Sequence, residues 1–257
     1  MILLQVPKLS FSIDMVIPIV IAWSVMILSA ILILLLSRFF SFSREITGCL
    51  MLVSILTNSS FLGIPIINAY MGESALAYVL VYDQLGTFIA LATYGTFIAS
   101  YYSNKTQLTF KIITLKVFTF PPVIALITSL FLIGVEFNPI ISKVLNSFAS
   151  TIVPVALVAV GLQLKLKLPK EDLKPFSVAL SVKLIIAPII AIGISSLFNW
   201  NNQASIVSIM EAGMAPMITA GAIASMAGLA PRLSSAIVGY GILISFITTG
   251  VLFKVIS

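Results

Sequence analysis

Thr57-Asn58-Ser59-Ser60-Phe61-Leu62-Gly63-Ile64-Pro65 is the stretch on which the reading of this chain turns. It lies within an apolar segment long enough to cross a bilayer, yet it places an amide, three hydroxyls, a glycine and a proline near mid-depth. Proline removes a backbone donor and displaces a carbonyl, so it interrupts a helix. Interrupted backbone is tolerated at depth only where protein or a cavity supports it. A second segment has the same character: Glu211-Ala212-Gly213-Met214-Ala215-Pro216. Paired interruptions at corresponding places point to a transporter's binding site. Each proline taken alone also fits a simple kink, as Pro121, Pro122, Pro154 and Pro188 do. The nearby Gly63, Gly213, Asn58, Ser59 and Ser60 favour true breaks.

Composition sets the solvent. Of 257 residues, 60% are hydrophobic and 9% charged, against roughly 25% charged in a soluble domain. There is too little polar surface to coat a globule in water, so the chain is an integral membrane protein. The formal net charge of +6 resides in short loops, which argues for membrane topology and against nucleic acid as a partner. The absence of histidine removes the usual general base and the commonest transition-metal ligand. An enzyme is therefore not expected, nor a metal or organic cofactor. Cys49, the only cysteine, reads as a core residue. The N-terminus lacks the charge pattern and cleavage site of a signal peptide.

Spans of ~20 apolar residues fall at about 15–37, 46–71, 75–101, 111–134, 138–163, 175–198, 204–228 and 233–256. The expected fold is all-α, with about eight transmembrane helices, the second and seventh broken and crossing. Lys and Arg alternate between loops. Arg38 and Arg44, Lys105 and Lys111, Lys165 to Lys174, and Arg232 occupy one set, while the loops near Gly72, Gly134 and Asn199 carry none. The positive-inside rule then places the first set in the cytoplasm and both termini outside, in a multi-pass protein of the cell membrane. The basic, leucine-bearing run 165–174 is suited to lie against anionic lipid.

Aligning Pro65 with Pro216 pairs the second span with the seventh. Glycine follows each, at Gly72 and Gly228, and then a helix carrying Tyr82 and Gly86 or Tyr240 and Gly241. Helices one to three thus match helices six to eight, with opposite orientation, as in an inverted repeat. The corresponding division is a remnant helix at 1–14, a first transport half at 15–101, scaffold helices at 111–163 and a second transport half at 175–257. A symmetric ten-helix design would need more helix ahead of residue 15.

Half-helices that begin near mid-depth present unpaired, electropositive amides, with proline well suited to the first helical position. Two such ends favour an anion, most simply a carboxylate. Asn58 would hydrogen-bond it, or else bond a neighbouring helix. Charges within spans cost ~3 kcal/mol each on insertion scales and ask for a reason. Lys116 and Lys143 lie near span ends, where they can snorkel. From the helical rise, Asp83 and Glu211 sit roughly 7 Å to the outer side of mid-span and Lys183 roughly 6 Å to the inner side. Asp83 and Glu211 together would hold a proton or cation, so H+ or Na+ coupling is a candidate role for Asp83, Glu211 and Lys183. The alternatives are that Asp83 and Gln84 cap a helix at its outer end, and that Lys183 balances Glu211.

The motif Asn58-Ser59-Ser60-Phe61-Leu62-Gly63-Ile64-Pro65, followed by Gly72-Glu73, resembles the Asn-Thr-Gly-Phe-Leu-Gly-Leu-Pro…Gly-Glu signature of the auxin efflux carrier family, within the bile acid/arsenite/riboflavin-type transporter superfamily. Pro154…Gly161-Leu162-Gln163-Leu164, Lys183 with Pro188, and Pro216 with Ala224 and Gly228 resemble later motifs of that family in the right order. The resemblance implies a ten-helix inverted-repeat fold, of which the first one to two helices are missing here. It also implies an elevator-like movement, with an organic anion (auxin-like, or a mono- or dicarboxylate) bound at the crossing. On it, Pro65 and Pro216 are the crossover prolines, Asn58 is a substrate contact, and Ser59, Gly63 and Gly213 line the site. The expected partners are a small organic anion, membrane lipid and, as an option, a second copy in a homodimer. The competing expectations are a cation/proton antiporter of similar architecture and a truncated homologue that does not transport.

Overall fold

The structure, a computed structural model, describes residues 3, 13–103, 121–132, 134–135, 137–151, 154–155, 158 and 170–256. The basic positions Lys105, Lys111, Lys116, Lys165 and Lys167, the remnant helix expected before residue 13, and much of spans 111–134 and 138–163 lie outside the described residues. Among the described residues there is no β-strand, only one isolated bridge, and the architecture is all-α.

Four helices are unbroken and apolar over a membrane's thickness: α1 (Ile13–Phe39), α4 (Glu73–Tyr102), α7 (Lys170–Leu197) and α10 (Pro231–Ile256). Between them run two interrupted spans. The first consists of α2 (Arg44–Val53) and α3 (Ile64–Met71), the second of α8 (Gln203–Ala212) and α9 (Ile218–Met226). The segments α5 (Pro121–Phe131) and α6 (Pro139–Ser150) stand in the expected scaffold region.

Local chemistry fixes the ends of the broken spans. Ser43 caps α2 by accepting from the Ile46 amide, and Asn202 caps α8 by accepting from the Ser205 amide. Each such cap contributes ~1 kcal/mol. Both spans end on a glycine with φ of +77°, Gly72 after α3 and Gly228 after α9. That left-handed backbone suits a residue without Cβ, and it matches the sequence pairing of these two glycines.

The broken spans are the core. Every residue of α2 from Thr47 to Val53 is buried, and so is every residue of α8 from Val207 to Ala212. Helix α1 packs on α4, α7 and α8, while α10 packs on α2, α7 and α9. The long helices turn their other faces outward. Ile27, Ile31 and Leu35 on α1, and Leu243, Ile247, Val251 and Val255 on α10, are exposed apolar stripes at helical spacing. Such faces call for lipid or another protein surface rather than water.

Helices α4 and α7 are not regular throughout. Wide π-helical turns span Tyr82–Phe88 and Leu91–Gly95 in α4 and Val182–Ile186 in α7. A π turn leaves carbonyls free for other donors, and such turns concentrate at functional sites. The Trp23 indole of α1 takes one, donating to the Leu85 carbonyl at 3.1 Å.

Candidate functional site

The two interruptions meet. Asn58 donates its backbone N–H to the Ala215 carbonyl at 2.9 Å, and Met217 donates to the Leu56 carbonyl at 3.0 Å. Thr57 and Pro216 are thereby opposed in a one-residue antiparallel bridge. Breaking a helix in a dry core strands backbone groups that must find partners, and here each break supplies the other's. The register matters. In this pairing the bonds run through the flanking residues, so the opposed pair itself donates nothing. Proline has no N–H to donate and fits at 216 without loss.

Beyond the bridge, the chain at Ser59–Gly63 winds as a π turn, with the Gly63 amide donating to the Asn58 carbonyl at 3.1 Å. Helix α3 then starts with Pro65 in its first turn. The second span differs from the sequence expectation. Pro216 does not begin α9; it lies in the extended bridge, and α9 starts at Ile218 behind an extended Met217. The reason is that the bridge uses the Met217 amide, which holds that residue out of the helix.

Three charged side chains converge on this crossing. Lys183, in the π turn of α7, donates to Thr57 Oγ1 at 2.6 Å and to the Ala212 carbonyl at 3.1 Å. Ala212 ends α8, so the ammonium sits at a helix C-terminus, where the helix dipole favours positive charge. Asp83, in the first π turn of α4, accepts from Ser59 Oγ at 2.5 Å and from Gln84 Nε2 at 2.7 Å. Glu211 is 0% exposed, and neither of its carboxylate oxygens has a hydrogen-bond partner among the described residues. Its carboxylate lies against Gly63: a Cβ added there would collide with it. Asn58 Nδ2 and Gln84 Oε1 are buried and likewise without partners among the described residues.

All nine residues singled out from the sequence are thus in or beside the crossing. Ser59 serves Asp83, and Pro65 shapes the helix start. Gly213 lets Leu252 and Pro188 approach. Gly241 plays the same part toward Pro216, whose ring a Cβ there would strike. One reading is corrected. Asp83 and Gln84 do not cap the outer end of a helix; both are buried within α4. Lys183 interacts electrostatically with Glu211, as the balancing reading expects, while its hydrogen bonds go to Thr57 and Ala212. Sequence reasoning left Thr57 and the Ala212 carbonyl without a role. Thr57 stood in the decisive stretch as a hydroxyl at mid-depth, but its partner lies 126 residues away.

Comparison with known proteins adds the remaining finding. Residues 3–253 match the model of a family described as membrane transport protein. An uncharacterized transporter of Methanocaldococcus jannaschii is 30% identical over 202 residues, covering 77% of this chain and 64% of its own length. An uncharacterized transporter of Methanothermobacter thermautotrophicus is 26% identical over 184 residues, covering 69% and 58%. The chain therefore spans about three fifths of the length of these relatives.

Proposed function

The chain belongs to the membrane transport protein family, that of the auxin efflux carriers, and from that premise we propose that it carries small organic anions, seated where the two broken spans cross. The observation that carries this reading is the paired break with an unspent donor. Helical winding resumes at Ser59 after the first break and at Ile218 after the second, and a helix start presents unpaired amides and partial positive charge. Asn58 Nδ2 is buried beside the first of these starts and has no partner among the described residues. A carboxylate accepts from a side-chain amide and from helix-start amides alike. Gly63 keeps a Cβ atom away from the Glu211 carboxylate at the crossing. The substrate class on this reading is a mono- or dicarboxylate, transport follows an elevator-like displacement of the crossed pair, and the basic loops face the cytoplasm.

The experiment is uptake into proteoliposomes of acetate, malonate, malate and indole-3-acetate by wild type, Asn58→Ala and Pro65→Ala. Expected is a loss of about tenfold or more for Asn58→Ala, the equivalent of one strong charge-assisted hydrogen bond. Should uptake survive both substitutions in folded protein, the anion does not bind at the crossing.

A second reading, a cation/proton antiporter, draws on the partnerless Glu211 carboxylate near Asp83. It is distinguished by ion flux in proteoliposomes lacking any organic anion, which the carrier reading does not expect.

A further inference from the structure

We propose that the carboxylate carried at the crossing also bears a protonated amino group, received by Glu211 and Gln84 while Asn58 holds the carboxylate, so that the substrates are amino carboxylates. This rests on the crossover reading above and narrows its substrate class.

The polar atoms left over at the crossing are unequal in kind. Asn58 Nδ2, Gln84 Oε1 and both Glu211 oxygens are buried and lack a partner among the described residues. The first is a donor and the others are acceptors. Their side chains are 2%, 3% and 0% exposed, so bulk water does not serve them. All three residues flank one feature, the π turn Ser59–Gly63. Asn58 immediately precedes it. The Glu211 carboxylate lies against Gly63 at its end. Gln84 is bonded to Asp83, which also holds Ser59 at its beginning. Because Asp83 accepts from Gln84 Nε2, Oε1 is the atom of that amide left free.

No donor nearby fills these acceptors. The amides of Gly63 and Ile64 go to the carbonyls of Asn58 and Ser59, and Pro65 has none to give. Lys183 faces Glu211 electrostatically, but its hydrogen bonds go to Thr57 and to the carbonyl that ends α8.

Charge points the same way. Asp83 and Glu211 stand against Lys183, which leaves a surplus negative charge when both acids are ionised. A plain carboxylate would satisfy Asn58, leave the acceptors bare and add another negative charge to a dry core, where unpaired charge is costly. An ammonium group brings three donors and a positive charge. Carried on the same molecule as a carboxylate, it answers both deficits at once. A hydroxyl in its place supplies a single donor and no charge.

The test is isothermal titration of the full chain in detergent, at neutral pH, with two series that differ at one carbon: succinate, malate and aspartate, and propionate, lactate and alanine. Aspartate and alanine are expected to bind about a hundredfold tighter than succinate and propionate, because a site built to receive a donor rejects the analogue lacking it. Malate and lactate are expected to fall between. Glu211→Gln keeps the shape of the side chain and removes its charge, and the amino preference should drop about tenfold. Succinate and propionate binding as tightly as their amino counterparts overturns the proposal. So does an amino preference undiminished in Glu211→Gln. If that variant does not fold, Glu211→Asp replaces it by drawing the carboxylate back one methylene. A preference smaller than that of wild type then supports the assignment, and an equal one overturns it.

The amino assignment and the crossing site fail in different ways. Plain and amino carboxylates that bind equally, with binding lost in Asn58→Ala, keep the anion site and overturn the amino assignment. Absence of binding by every member of both series, or binding unchanged in Asn58→Ala, overturns the crossing site and the amino assignment with it.

Discussion

Lys183 shows how one side chain holds together what two proline-bearing breaks take apart. Its ammonium joins the hydroxyl of one break to the last helical carbonyl before the other. Each charge-assisted bond contributes ~1.5–3 kcal/mol, and without the ammonium both acceptors would lose their charged donor in a dry core. Lys183→Ala should therefore destabilise the fold by about 3–5 kcal/mol, seen as a lowered thermal midpoint in detergent. An unchanged midpoint would contradict this role. Gly63 is constrained differently. Its conformation is ordinary, but its lack of a side chain admits the Glu211 carboxylate. Gly63→Ala should leave a folded protein whose uptake is lost, because relief requires moving either Glu211 or the start of α3. Normal uptake by this variant would show that the close approach is not needed.

The broken spans stand as one element because each completes the other's hydrogen bonding. Neither break would be stable alone in an apolar core. The antiparallel bridge explains why a proline is accepted at 216, and the glycine at 241 explains how its ring fits against α10. The π turn at Ser59–Gly63 is held from outside the span, by Asp83 on α4. Asp83→Ala would leave Ser59 Oγ and Gln84 Nε2 buried without their acceptors, at about 1–3 kcal/mol each. Asp83→Asn keeps an acceptor for Ser59. The thermal midpoint should then fall in the order wild type, Asn, Ala, and equal midpoints for the two variants would argue against the latch. This contact was not legible beforehand. Sequence gives the residues of α4, but helical phase places them. Two π turns shift that phase from the regular 3.6-residue period, and nothing in the hydrophobic pattern marks them.

Over the whole molecule, polar contacts divide between two ends. At one, Arg44 donates to the Tyr101 carbonyl and stacks over Tyr101 and Tyr102, Lys174 lies 4.1 Å from the centre of the Phe40 ring, and Ser103 donates to Ala227. At the other, Asn202 donates to Asp14 and Gln203 to Ser74. The loops that share each end are those that the alternation of Lys and Arg groups together. If the basic end faces the cytoplasm, a cysteine at Ser41 should be shielded from a membrane-impermeant maleimide added to intact cells, and one at Ser74 should react. Both positions are exposed, and the native Cys49 is fully buried and contributes little background. The opposite labelling would reverse the orientation.

What the sequence determined by itself is whatever depends on the solvent and on single residues. Apolar length called for helices that cross a bilayer, proline and glycine located the interruptions, and loop charge sorted the ends, because each of these effects acts locally. The tertiary structure decided which groups meet. A mid-depth hydroxyl or carboxyl has no water to bind and must choose a partner across the bundle. For Thr57 that partner is Lys183, for Ser59 it is Asp83, and for the Asn58 backbone N–H it is the Ala215 carbonyl. Such choices depend on crossing geometry and on the phase of helices containing π turns. Glu211 is the instructive remainder: packing brought it against Gly63 and gave it no hydrogen-bonding neighbour among the described residues, and a bare carboxyl against a glycine is a feature only the assembled core could disclose.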